Sequence, residues 1–369
     1  MGNIQGFYIH FDGSLMLGVN NKIKMQIQEL QKHFKCEEVE ITTPERSLSN
    51  RIAGLLPFCS IPWDYRKAKD TVKNADYIYI RRVNADFKLI LFFKWLRDRF
   101  PQCKILMEVP TYPYDKQSFR HISDKPFELK DKIFRKCYKK YVDCIISMAD
   151  ETEIFGIPNI KIKNGINFGL IEPVDKAVDD ESVDLLAVAN FQPDHGYERV
   201  IKGMAEYYSA GGIRDIKLHM AGEGKEVLEY KKLVDSLKLN GRVIFHGKKT
   251  GEELEKLYSV ADIGLGAFGC YKSGIKVSSV LKIREYLAKG LPVVSGMEED
   301  LFQNYDYSYY LGYDNSSDNI DISKTIRLYD NIYDGTETKT NIRKRIREAG
   351  KELADISITY KPVVDYIKP

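Results

Sequence analysis

Short apolar runs rich in β-branched and aromatic residues alternate along this chain with longer segments of helical period, and the alternation runs twice. The first series predicts strands over 7–10, 38–42, 77–81, 104–109 and 144–148, with helices over 21–34, 87–99 and 127–141. The second predicts strands over 185–189, 217–221, 243–246, 263–266 and 292–295, with helices over 197–208, 225–237, 251–259 and 279–289. Parallel strands need crossovers of this length, so each series reads as a parallel sheet covered by helices. The expected class is α/β with two Rossmann-like domains, and 369 residues suffice for both. The boundaries expected are 1–166, a polar acidic linker over 167–183, and a second domain over 184–345. Residues 346–369 then form a helical segment crossing back to the first domain. The stretch 320–354 reads as helical throughout.

Several function classes fall away at once. With 56 basic against 53 acidic residues the formal charge is +3, too small for a long-range pull on nucleic acid. The six cysteines lack C-x-x-C spacing and read as buried free thiols of a reducing compartment. No apolar run approaches the roughly 18 residues that a membrane span needs, and the first residues lack a basic stretch followed by an apolar one. A cytoplasmic protein is expected.

The chemistry concentrates in GRVIFHGKKTGEELEKLYSVADIGLGAFGCYKSGIKVSSVLKIREYLAKGLPVVSG, which starts at Gly241. In an open parallel sheet ligands collect beyond the carboxyl ends of the strands, here the loops after Ala189, Ala221, His246 and Gly266. The stretch from Gly269 to Gly274 reads as a flexible loop, with Ser278 or Ser279 as N-cap of the next helix. Free N–H groups at that helix start suit a diphosphate, and Lys282 in the first turn adds a charge-assisted contact.

The order of these features resembles the donor half of glycosyltransferase family 4: a strand ending in Gly, "ADI", a glycine-containing loop, then a helix with Glu followed by G-x-P-V-V. The resemblance implies the GT-B fold, two Rossmann-like domains facing each other across a cleft. It also implies that Glu285 hydrogen-bonds the nucleotide ribose. The family pairs that glutamate with another eight positions earlier, where this chain has Val277, so the usual carboxylate for the donor sugar is missing. After the 185–189 strand, Asn190 and His195 stand where the family carries Arg and Lys on the diphosphate, and Arg199 is a substitute cation or a structural residue. Gly247 and Lys248 occupy the place where backbone groups face the nucleobase. Tyr271, Lys272 and Ser273 contact sugar or phosphate, or are exposed loop residues.

The first half is less patterned. Gly18 falls where the family's loop lets the backbone approach the donor phosphates, although an ordinary strand-to-helix turn fits equally. Glu108, in MEVPTYPYD, stands where many relatives place a histidine facing the donor sugar. It either binds sugar hydroxyls and assists proton transfer, or is a buried structural carboxylate. Pro110, Tyr112, Pro113 and Tyr114 would shape the acceptor entrance. Basic and aromatic residues mix in two helices, Phe92, Phe93, Lys94, Trp95, Arg97 and Arg99, then Lys130, Lys132, Phe134, Arg135, Lys136, Lys139 and Lys140. They suit association with the inner membrane face, or are solvated faces of ordinary amphipathic helices. The apolar stretch 55–63 is a further membrane contact.

By resemblance the chain is a retaining, hexosyltransferase-like enzyme of cell-surface polysaccharide biosynthesis, such as capsule. It moves a sugar from a nucleotide-sugar donor, UDP-sugar before GDP-sugar, to a glycan or lipid-linked acceptor. No strict D-x-D holds a metal on the diphosphate, so no metal and no other cofactor is expected. Lys282 and Glu108 are the candidate catalytic residues. The alternative is a catalytically weak GT-B subunit that binds donor beside an active partner. Epimerisation lacks its acidic and basic partners, and dinucleotide-dependent oxidation lacks G-x-G-x-x-G after either first strand.

Overall fold

The computed structural model describes residues 4–11, 17–42, 63–115, 124–176, 182–303 and 305–369. Two compact units form, Met1–Lys163 with Thr359–Pro369, and Asn164–Ile358. The first unit thus takes the end of the chain, and the second starts close to the Asn164-Gly165 pair.

The first unit is built on β1 (Gln5–Phe11), β2 (Lys35–Ile41), β3 (Tyr77–Arg81), β4 (Lys104–Val109), β5 (Cys144–Ser147), β6 (Glu153–Ile154) and β7 (Ile157–Lys161). They form a seven-stranded sheet of order β2-β1-β3-β4-β5-β7-β6, with only β6 antiparallel to its neighbour. The central strands β1, β3, β4 and β5 are buried on both faces and read as apolar runs, whereas β2 mixes buried and exposed residues at the edge. Helices α1 (Leu17–His33), α2 (Tyr65–Thr71), α3 (Phe87–Arg99) and α4 (Lys125–Phe134) accompany the sheet, and α4 continues as a 3₁₀ turn over Arg135–Lys140. Asp86 caps α3, its Oδ1 accepting the Leu89 N–H at 2.8 Å.

Two of the aromatic residues of α3 that the sequence offers to a membrane face inward. Phe92 and Phe93 are buried in the core with Leu89 and Leu96, because they recur on the sheet side at helical spacing. The exposed apolar residues are others: Phe87 and Leu91 on α3, Leu129 and Ile133 on α4. The stretch 55–62 lies outside the described residues, and Trp63 packs against the core with its ring 4.9 Å from that of Phe11.

The second unit holds β8 (Val183–Val188), β9 (Ile216–Ala221), β10 (Val243–Gly247), β11 (Ile263–Leu265), β13 (Val293–Ser295) and β15 (Tyr310–Gly312) in one parallel sheet of order β10-β9-β8-β11-β13-β15. A separate two-stranded ribbon pairs β12 (Val277–Ser278) with β14 (Glu298–Glu299). The helices are α5 (Glu198–Ser209), α6 (Val227–Ser236), α7 (Glu252–Val260), α8 (Leu281–Ala288), α9 (Ile322–Tyr333) and α10 (Lys339–Ala354). The stretch 320–354 is therefore two helices rather than one. Gly335, at φ +150°, lies in the break, and Thr338 caps α10. Short helices α11 (Ile356–Thr359) and α12 (Lys361–Ile367) finish the chain. Lys104 closes α12 within the first unit, its Nζ donating to the carbonyls of Tyr366 and Lys368, each at 2.8 Å.

From β8 the chain moves outward through β9 and β10, then returns to lay β11 on the other side of β8. The winding therefore reverses between β8 and β11, the kind of switch point at whose strand carboxyl ends ligands collect in open α/β sheets.

Candidate functional site

Two short 3₁₀ turns meet at that switch point. The loop after β8 forms one over Pro193–His195, and the loop after β11 forms the other over Cys270–Ser273. They are joined by backbone, with Phe268 N–H donating to His195 O at 2.7 Å and Gly269 N–H to Asp194 O at 3.2 Å. Gly196 ends the first turn at φ +63°, and a Cβ there would lie 2.3 Å from Gly269 N. Close approach of the two turns explains this pair of glycines. The loop after β11 thus forms a 3₁₀ turn over Cys270–Ser273, anchored by Cys270 in a small apolar cluster with Ala267 and Met297.

Helix α8 starts behind the turns. Its N-cap is Val280, whose side chain cannot accept a hydrogen bond, so the first N–H groups are left without a side-chain cap. Neither serine fills that role. Ser278 belongs to β12, and Ser279 donates from Oγ to Asp300 Oδ2 at 2.6 Å. In the first turn stands Lys282, whose Nζ is buried with no hydrogen-bond partner. Burial lowers its pKa to about 8, against the pull of Glu299, Asp194 and Glu285. The Tyr197 ring centroid lies 5.9 Å from Nζ, and Tyr197 is fixed by its hydroxyl donating to Gly266 O at 2.8 Å.

His195 belongs to the same group. Burial, reinforced by the Lys282 charge, lowers its pKa to about 3, so the ring is neutral. Nδ1 lies 3.2 Å from the Gln192 N–H and accepts from it, which puts the ring proton on Nε2 as a donor. Glu285, one turn beyond Lys282, is half-buried, and burial raises its carboxyl pKa against the opposing charges of Lys282 and Lys289. A cation, a neutral N–H donor, a carboxyl and an uncapped helix start thus share one place. Such a set holds an oxyanion at one end and a hydroxyl at the other.

Other expected site residues are placed differently. Arg199 is buried and donates to three carbonyls, to Phe268 at 2.7 Å, Asp314 at 3.0 Å and Asp318 at 2.5 Å, so it ties loops together and offers no free cation. Lys272 turns to α5, with Nζ 2.5 Å from Glu198 and 3.1 Å from Pro193 O. Tyr271 is half-buried, 6.0 Å from the Arg199 guanidinium, and Ser273 is exposed but donates to Cys270 O. Asn190 is exposed at the end of β8, its Oδ1 accepting from Gln192 Nε2 at 3.4 Å. Gly247 ends β10 at φ +68° with its carbonyl accepting from Gly222 N–H at 2.8 Å, and Lys248 is exposed beside it.

In the first unit, Gly18 lies inside the first turn of α1, not in a loop before it. Glu108 is 1% exposed and held by Lys22 at 3.0 Å, Arg81 at 3.1 Å and the Tyr79 hydroxyl at 3.1 Å. Despite burial, Arg81 and Lys22 bring its pKa down to about 2. A carboxylate so fully paired is a poor proton acceptor, which favours the structural alternative for Glu108 over the catalytic one. Tyr114 is likewise committed, donating to Asp131 Oδ2 at 2.6 Å under the Arg82 guanidinium.

The residues that sequence reasoning passes over are Arg284, Glu299 and Asp300. Arg284 is wholly buried, pairs with Asp300, and donates to the carbonyls of Asn164 and Val280, each at 3.0 Å. The one available signal was the density of charge in EED after an apolar strand. Among the described residues no group of three His, Cys, Asp or Glu could hold a metal ion, and no helix is long and apolar enough to cross a membrane.

Residues 171–299 match the family described as glycosyl transferases group 1. No curated protein matches the chain in sequence. Among solved structures, the glycosyltransferase from Rickettsia africae ESF-5 superposes with a TM-score of 0.63 at 13% identity, over 99% of this chain and 98% of its own. Anabaena Alr3699/HepE, solved with UDP, gives 0.64 at 13% identity over 99% of both chains. Sucrose-phosphate synthase from Thermosynechococcus elongatus gives 0.61 at 17% identity over 98% of both. At these identities the likeness is one of fold. The chain has the GT-B fold of two Rossmann-like units, and its residues 171–299 are similar to the glycosyl transferases group 1 family.

Proposed function

We propose that the protein transfers a sugar from a nucleotide-sugar donor to a glycan or lipid-linked acceptor, with retention of configuration and without a metal ion. The observation that carries this reading is the buried, unpartnered Lys282 Nζ at the uncapped start of α8, beside a neutral His195. A diphosphate leaving group gathers negative charge as its bond to the sugar breaks. Lys282, the His195 Nε2–H and the first N–H groups of α8 are donors already oriented for that charge. Glu285 accepts from the ribose hydroxyls. The leaving phosphate takes the acceptor's proton, so no side-chain base is required, in keeping with the structural role of Glu108.

UDP is the favoured nucleotide, with GDP next. Anabaena Alr3699/HepE, of the same fold, is solved with UDP and with UDP-glucose. The pathway is cell-surface polysaccharide synthesis at the inner membrane face. The apolar strip Phe87, Leu91, Leu129 and Ile133, next to Lys132, supports contact with lipid. A panel of nucleotides and nucleotide sugars in thermal shift, followed by donor hydrolysis, tests the reading. UDP or a UDP-sugar should raise the melting temperature of the wild type and not of Glu285→Ala. Absence of stabilisation by every nucleotide would reject the proposal. Binding without hydrolysis or transfer would favour a donor-binding subunit, the reading that the valine at position 277 supports.

A further inference from the structure

The ribbon β12–β14 aligns Ser278 with Glu299 across two parallel strands. It is tied to the start of α8 on one side. Asp300 N–H donates to Ser278 O at 2.9 Å, Ser279 Oγ donates to Asp300, and buried Arg284 pairs with the same carboxylate. Asp300 is thereby fully engaged, yet its neighbours are not. Glu299 is 0% exposed; its Oε1 accepts from Ser295 Oγ at 2.8 Å, and its Oε2 has no hydrogen-bond partner. Ser278 Oγ, also buried, closes no hydrogen bond of ordinary geometry but faces Glu299 closely enough to lower that carboxyl's pKa, and the third such atom is Lys282 Nζ, on which Glu299 exerts the largest pull.

Leaving a buried polar atom unpaired is unfavourable, the more so when it is charged. At one helix start a carboxyl, a hydroxyl and an ammonium thus face one another without closing ordinary hydrogen bonds, while the adjoining Arg284 and Asp300 are satisfied in full, and a ligand hydroxyl placed among them would complete the set. Their mixture also selects among ligands. A phosphate alone would suit Lys282 but would bring negative charge towards Glu299, which exerts the strongest electrostatic pull on that lysine. A hydroxyl can donate to a carboxylate and accept from a serine or an ammonium. Burial raises the Glu299 carboxyl to about 7, so near neutral pH it also supplies a proton to an oxygen. Val277, on the same ribbon, is 36% exposed and offers no hydrogen bond.

We propose that Glu299 and Ser278 form the subsite that reads a hydroxyl of the donor's sugar, next to a diphosphate held by Lys282. This rests on the donor-site reading of α8. It assigns sugar selection in this chain to the ribbon behind the helix.

Titration calorimetry of UDP, UDP-glucose, UDP-galactose and UDP-N-acetylglucosamine against wild type, Glu299→Gln and Ser278→Ala tests it. UDP affinity should stay within about twofold of wild type in both variants. The preferred UDP-sugar should weaken about tenfold in Glu299→Gln and less in Ser278→Ala, so that its advantage over UDP shrinks. An unchanged ratio in both variants overturns the proposal and identifies a water-filled site. Equal weakening of UDP and UDP-sugar overturns it as well, leaving the ribbon a positioning role. If Glu299→Gln does not fold by circular dichroism, Ser278→Ala decides alone. A wild type that binds neither UDP nor any UDP-sugar rejects the donor site itself, and the subsite with it.

Discussion

Raising the pH through the titration of Lys282 should weaken nucleotide binding without unfolding the protein. Burial holds this ammonium at about 8 in the free protein, where a solvated lysine lies near 10.5. A bound diphosphate supplies the counter-charge that burial denies and draws the value back up, so binding above pH 8 takes up a proton. From a free-state value of about 8, the charged fraction falls from about nine-tenths at pH 7 to about one-tenth at pH 9, and UDP affinity should fall about tenfold. His195, at about 3, stays neutral across this span and adds no slope. Glu299, at about 7, gains charge early in the span and helps to retain the lysine proton. Glu299→Gln should therefore move the break to lower pH. Calorimetric UDP titrations from pH 6.5 to 9.5, in two buffers of different ionisation enthalpy, would count the proton directly. A constant UDP affinity between pH 7 and 9, or an undiminished slope in Lys282→Met, would refute the reasoning.

The same lysine is a burden on the empty fold. Because its folded pKa is depressed, the charged form costs up to about 3 kcal/mol at pH 7, and that cost is relieved as pH rises from about 8 towards 10.5. Lys282→Met should resist urea better than wild type at pH 7 and lose the rise in stability above pH 8; a less stable variant would contradict this. Glu108 has the opposite sign. Its pKa, depressed to about 2 from the ordinary 4.5, contributes stability present above pH 4.5 and lost as pH falls towards 2. Glu108→Gln leaves Lys22 and Arg81 facing a neutral group and should cost about 3–5 kcal/mol in urea unfolding at pH 7, with a loss under 1 kcal/mol counting against the structural role. Gly196→Ala combines a left-handed residue with a Cβ 2.3 Å from Gly269 N, and should cost at least about 2 kcal/mol and weaken UDP binding. Gly274→Ala, at φ +71° with nothing within 4 Å, is its control and should cost about 1 kcal/mol without changing affinity.

What the sequence discloses and what it withholds divide along a physical line. Strands β3 and β4 and helix α3 are legible to the residue, because their burial is periodic and their ends carry punctuation such as Asp86 before α3. Lys282 and Glu285 are legible because one helix sets both, and their spacing is fixed by its pitch. The fate of Glu108 is not, since its neutralising cations come from α1 and β3, separated in sequence and joined only by the sheet. Arg199 misleads for the same reason: three carbonyls from remote loops absorb a charge that its position after β8 offered to a ligand. The break between α9 and α10 escapes because apolar spacing persists on both sides of Gly335. The β12–β14 ribbon is hidden most completely, as strands of two residues carry no period at all. Yet that ribbon determines what surrounds Lys282. Valine at 277 suggests a weakened sugar site only while the site is taken to lie on one strand. Glu299 pairs with Ser278 on the buried face of the ribbon, while Val277 and its partner Glu298 take the exposed face, so the carboxyl proposed to read the sugar stands on the other face from position 277. A one-dimensional motif records which residue occupies a position, whereas a binding site depends on which face of two paired strands each side chain takes, and strands of two residues carry no pattern from which that face can be read.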